Sequence, residues 1–134
     1  MTQHATGTFE VKIAPLDPTF KVDENPITRF SLDKQFRGDL DASSKGEMLA
    51  AGNQAKGSGG YVAMERVSGT LHGRSGTFTL QHSGTMDGGQ YHLDVSVVPG
   101  SGTGALTGLS GTMKIIIETG KHSYDFAYTL PDAK

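Results

Sequence analysis

The chain has 134 residues, no cysteine and a formal charge of −2. Without cysteine there is no disulfide framework, no thiolate nucleophile and no Cys-ligated zinc. The scattered Lys and Arg residues argue against a nucleic-acid or anionic-membrane surface, which needs a clustered basic face.

The N-terminal stretch Met1 to Gly7 lacks an apolar signal-peptide core, and no apolar run approaches a membrane span. A cytoplasmic protein with no membrane partner is expected. Phe9, Val11 and Ile13 then alternate with Thr8, Glu10 and Lys12, the period of a half-buried strand. Ala14 to Pro26 holds three prolines and is read as a long connection, a candidate lid over a barrel mouth. Phe30, Leu32 and Phe36 share one parity, which Lys34 interrupts. Leu40 to Ala51 is a weaker, small-residue strand, with its serines read as a strand edge. Asn53 to Gly60 reads as a solvated loop.

Clearer strands follow at Tyr61 to Leu71, Gly76 to Met86 and Tyr91 to Val97. Turn signals lie between them at Gly73-Arg74 and Asp87-Gly88-Gly89. Met113, Ile115 and Ile117 form the next set, and Tyr124, Phe126, Tyr128 and Leu130 close the chain. Nineteen glycines against five prolines, with no long helical pattern, agree with an all-β domain over residues 1–134. Sequentially adjacent antiparallel strands, eight in all, predict an up-and-down barrel, which leaves no exposed sheet edge. A two-sheet sandwich is the alternative.

Between the sixth and seventh strands, Gly100, Gly102, Gly104, Gly108 and Gly111 crowd one connection. Its GxGxxA pattern superficially matches a dinucleotide fingerprint. That chemistry needs a crossover helix inside a βαβ unit. Only residues 105–109 have room to be helical, so the segment is read as a barrel corner. Leu106 and Leu109 would plug the barrel's end. No cofactor is expected.

Pro99 to Gly111 resembles the corner segment of allene oxide cyclase-like barrels and, more loosely, of plant dirigent proteins. Further motifs occur in order: Gly7-Thr8-Phe9-Glu10-Val11, Phe36-Arg37-Gly38-Asp39-Leu40, Tyr61 to Leu71, Gly73 to Phe78, and Leu80-Gln81-His82-Ser83-Gly84. Together they resemble a bacterial family, domain-of-unknown-function family 3224 (DUF3224). The resemblance implies an eight-stranded, lipocalin-like antiparallel barrel and a homo-oligomer. It implies no activity. Cyclase chemistry carried over from the wider superfamily would be analogy at fold level only.

A tight turn after Leu71 would pair Glu65 with Leu80, Val67 with Phe78, Ala63 with His82 and Tyr61 with Gly84. The apolar residues then share the inner face, because a one-residue slip would expose them all. Glu65 and His82 interrupt that face as diagonal neighbours. A buried carboxylate needs a partner, so Glu65 is expected to meet His82, Lys34 or a tyrosine hydroxyl. Burial would raise its pKa and a cation would lower it.

Three functions fit. One is a binding module for a small, partly apolar molecule, with Lys34, Tyr61, Phe78, Leu80, Tyr91 and Leu93 as candidate ligand-binding residues. Another is an isomerase or cyclase in which Glu65 moves a proton and His82 orients it. The last is a structural barrel with a filled interior. If the carboxylate is kept for function, Glu65→Leu is expected to leave a folded barrel. His92 and Asp94 alternate on the outer face, and two ligands do not make a metal site.

Overall fold

Alternation of apolar and polar residues builds eight strands among the residues described by the computed structural model, which are 2–18, 20, 26–53 and 57–131. They are β1 (Gln3–Leu16), β2 (Thr28–Gly38), β3 (Leu40–Asn53), β4 (Ser58–Leu71), β5 (Arg74–Asp87), β6 (Gln90–Val97), β7 (Ser110–Glu118) and β8 (Lys121–Thr129). Each strand pairs antiparallel with the next, and β8 returns to β1. The result is the closed eight-stranded barrel, not the sandwich. No helix among the described residues is long and apolar enough to cross a membrane.

The β4–β5 register matches the turn argument, with Tyr61 opposite Gly84, Ala63 opposite His82, Glu65 opposite Leu80 and Val67 opposite Phe78. It is set by a two-residue turn in which His72 (φ 48°) and Gly73 (φ 80°) are both left-handed. That geometry follows the strand twist in a tight hairpin.

Some boundaries differ from expectation. β1 runs on to Leu16 and takes the first residues of the anticipated 14–26 loop. Residues 19 and 21–25, which the lid expectation needs, lie outside the described residues. β4 starts at Ser58, so the anticipated 53–60 loop is shorter, and 54–56 lie outside the description too. The expected helical turn at 105–109 is a 3-10 turn at Gly104–Leu106. It stops there because Thr107 leaves the helical backbone (ψ 129°), and Gly108 follows in a left-handed conformation (φ 86°).

The two barrel ends differ. At the end holding the glycine corner, Leu106 and Leu109 are buried in one cluster with Phe36, Leu40, Leu71, Phe78, Phe126 and Tyr128. Phe78 stacks on Phe126 with ring centroids 5.8 Å apart. Towards the other end, inward-facing positions open up. Phe9 is 6% exposed and Ile13 is 52%; Met113 is 5% and Ile117 is 68%. That gradient marks an open mouth.

Candidate functional site

Four polar side chains share the inner face between the plugged end and the mouth: Lys34 on β2, Ser44 on β3, Glu65 on β4 and His82 on β5. All are buried, and all have the parity of their apolar neighbours. Glu65 is the hub. Lys34 Nζ donates to Glu65 Oε2 at 2.8 Å, and Ser44 Oγ donates to Oε1 at 2.8 Å. His82 Nε2 lies 2.5 Å from Oε2. On the far side of the imidazole, Nδ1 lies 3.4 Å from the Tyr61 hydroxyl. No buried side-chain nitrogen or oxygen among the described residues lacks a partner.

The electrostatics follow from this packing. Burial alone would raise the pKa of Glu65. The hydrogen bond from His82 and the Lys34 ammonium outweigh it and bring the carboxyl down to about 2. The carboxylate is therefore ionised at neutral pH and is a weak base. Lys34 also lies over the rings of Phe9 and Phe36, 5.1 and 5.7 Å from their centroids. Burial, and then the nearby Tyr91 phenol, push the pKa of Tyr61 above the ordinary tyrosine value.

Above this network the barrel opens into a cavity of about 470 Å³. Ile13, Phe30, Met48, Tyr61, Met86 and Tyr91 contribute its larger walls. The space exists because strand ends here carry small residues: Ala50, Gly59 and Gly84 among them. Gly84 has a further role. A Cβ there would sit 2.6 Å from the Tyr61 ring, so glycine lets that ring lie across β5. Tyr61 is thereby held between the cavity and His82.

The family profile described as a protein of unknown function, DUF3224, matches residues 5–128. The chain belongs to the DUF3224 family. It is similar to a crystal structure of a DUF3224 protein of unknown function from Shewanella oneidensis MR-1, at 48% identity and a TM-score of 0.92. That match covers 99% of this chain and 100% of the other. No curated protein matches the chain.

Within this DUF3224 barrel the anticipated site residues fall into separate layers. Tyr61 and Tyr91 line the mouth cavity. Tyr91, though of inward parity, is 59% exposed at the rim. Glu65, His82 and Lys34 form the buried layer below. Leu80 is fully buried and Phe78 stacks in the plugged end, so neither lines the mouth cavity. Leu93 borders a different opening, the gap between β6 and β7. Those two strands share only the Ser96–Thr112 pair.

Ser44 was missed. The sequence pattern suggests a strand edge there, yet Ser44 is 1% exposed and binds the hub carboxylate. Its shared parity with Ala42 and Met48 was the available signal. His92 and Asp94 do lie on the outer face, 3.5 Å apart and well exposed. Among the described residues no group of three or more His, Asp or Glu side chains gathers to hold a metal.

Proposed function

We propose that this protein binds a small, partly apolar molecule in the mouth of its barrel, above the Tyr61–His82–Glu65 chain. The observation that carries the reading is the 470 Å³ cavity at the barrel mouth, whose wall residue Tyr61 reaches the buried polar layer through His82. Its volume falls in the range of small-molecule sites, and its walls are mostly apolar with a few polar groups. Met48 and Met86 give those walls adaptable surface.

The test is mass spectrometry of small molecules carried through purification, with native mass spectrometry of the intact protein. One retained compound, lost on blocking the mouth, supports the reading. A protein that carries nothing and binds no member of a broad apolar panel sinks it.

A second reading, an isomerase or cyclase, is favoured by one observation. The hydrogen-bonded chain from Tyr61 through His82 to Glu65 starts at the cavity wall. A carboxyl held at about 2 abstracts protons poorly, so Tyr61 and His82 would carry the proton while Glu65 positions His82. Turnover of the retained compound, lost in Tyr61→Phe, decides between binder and enzyme. The cytoplasmic setting and the homo-oligomer belong to the same proposal. The exposed outer-face residues Leu49, Val62 and Met64 support a self-contact. A monomeric mass by analytical ultracentrifugation would remove that part.

A further inference from the structure

Among the described strands, β6 and β7 are the neighbours whose ladder shrinks to one residue pair, Ser96 with Thr112. From that pair towards the mouth, residues 90–95 of β6 and 113–118 of β7 make no ladder with each other. The wall is parted there by a slot of about 550 Å³. Tyr91, Leu93 and Val95 border it on one side, and Met113, Lys114 and Ile115 on the other.

A row of backbone N–H and C=O groups on an open strand edge is a template for a further strand. β7 offers the better template. Ile115, Ile116 and Ile117 follow one another on it, and β-branched residues suit a strand. Its far edge is paired along its whole length with β8, so only the edge on the slot is free. β6 does not cover that edge, because its whole length is laddered to β5. An alkyl chain in the slot would cover the isoleucines but strip water from the backbone groups, with no hydrogen bond in return. An extended peptide replaces that water with backbone hydrogen bonds, and its alternate side chains fall on the apolar inner side.

We propose that the free edge of β7 docks an extended peptide segment of a partner protein. It adds as an antiparallel strand with apolar residues at alternate positions. Docking here does not require a ligand in the mouth cavity. The Ser96–Thr112 register, carried on, would set Asp94 opposite Lys114 and Leu93 opposite Ile115. The β6 sequence is therefore a template for what the edge accepts.

The probe is a synthetic, fluorescein-labelled peptide of the β6 sequence, Gln90–Val97, titrated into the full chain by fluorescence anisotropy. Saturable binding is expected. In an antiparallel ladder, the N–H groups of alternate residues point at the partner strand. Two copies of the peptide, N-methylated at Leu93 or at Asp94, separate strand addition from hydrophobic sticking. One copy should bind about tenfold more weakly, the upper range of one net hydrogen bond, and the other within about twofold of the parent. Hydrogen exchange, read by mass spectrometry, should slow over residues 113–118 when the parent peptide is added.

A parent peptide that does not bind overturns the proposal. So does equal weakening by the two methyl groups, or weakening by neither, which marks a contact without a ladder. Protection that spares residues 113–118 and falls elsewhere overturns it as well. The free edge amides of β7 should exchange fast before the peptide is added. Slow exchange there that grows with protein concentration would assign the edge to a second copy of the chain. Slow exchange independent of concentration would mean that β6 zips onto it, and either result removes the peptide site.

Discussion

At the glycine-corner end, inward positions carry Phe36, Leu40, Leu71, Phe78, Phe126 and Tyr128, all buried. At the mouth, the same strands place Ala50, Gly59 and Gly84 around an open cavity. Strand number and closure are common to both ends. The difference is side-chain volume at the strand termini. A small barrel can be filled by side chains or hold one small ligand, and here one molecule does both. The polar layer of Lys34, Ser44, Glu65 and His82 sits at the boundary.

The largest effect should come from breaking that boundary layer. Lys34→Met leaves Glu65 without its cation and should cost about 3–5 kcal/mol. Chemical denaturation measures it. Glu65→Leu alone should be comparably harmful, because Lys34, 6% exposed, would be stranded. The barrel expected to survive the loss of Glu65 is therefore the double variant, Lys34→Met with Glu65→Leu. It should recover most of the stability. A double variant as unstable as either single would show the layer is needed for folding and not merely tolerated.

Trimming the plugged end should cost nearly as much. Phe126→Ala removes a fully buried ring and should lose about 3–5 kcal/mol. Met86→Ala at the mouth should lose less than about 1 kcal/mol, since its side chain borders open space. Similar losses at the two ends would mean the mouth is closed in solution.

Acid should act on the boundary layer next. The pKa of Glu65 falls from an ordinary 4.5 to about 2 on folding. A depressed carboxyl contributes stability that is fully present above its unfolded pKa. That stability is lost as pH falls from about 5 through about 2. The contribution is roughly 3 kcal/mol. Comparing the wild type with the double variant isolates it. The wild type should lose stability more steeply over that window, and parallel curves would contradict the ion pairing.

Much of this was legible because a strand has period two. The β4–β5 register follows from one turn and an apolar face, and that pattern alone makes Glu65 and His82 neighbours. The plug of Leu106 and Leu109 followed from glycines too dense for a helix. What parity does not carry is depth. Tyr91, Leu93, Leu80 and Phe78 all point inward, yet they lie at the rim, beside the β6–β7 gap and in the packed interior. Depth depends on strand tilt and stagger, which no single strand's pattern encodes. Ser44 escaped for another reason. A serine is ordinary at an exposed edge, and only its register opposite Val67 on β4 and Lys34 on β2 makes it a buried donor.

The finest test of the two ends enlarges one residue type on one strand face. Ala42 and Ala50 both point inward from β3. Ala42 lies in the packed cluster, 4% exposed, and Ala50 borders the mouth cavity opposite Tyr61. Ala42→Phe must force a ring into filled space and should cost about 1–3 kcal/mol or more. Ala50→Phe enters space that is already open, so its stability should stay within about 0.5 kcal/mol of wild type. Its binding should nevertheless fail, because the ring would occupy the volume assigned to the ligand. If Ala50→Phe still carries the retained compound, the ligand sits elsewhere. The gap between β6 and β7, bordered by Leu93 and Ile115, would then be the next place to look.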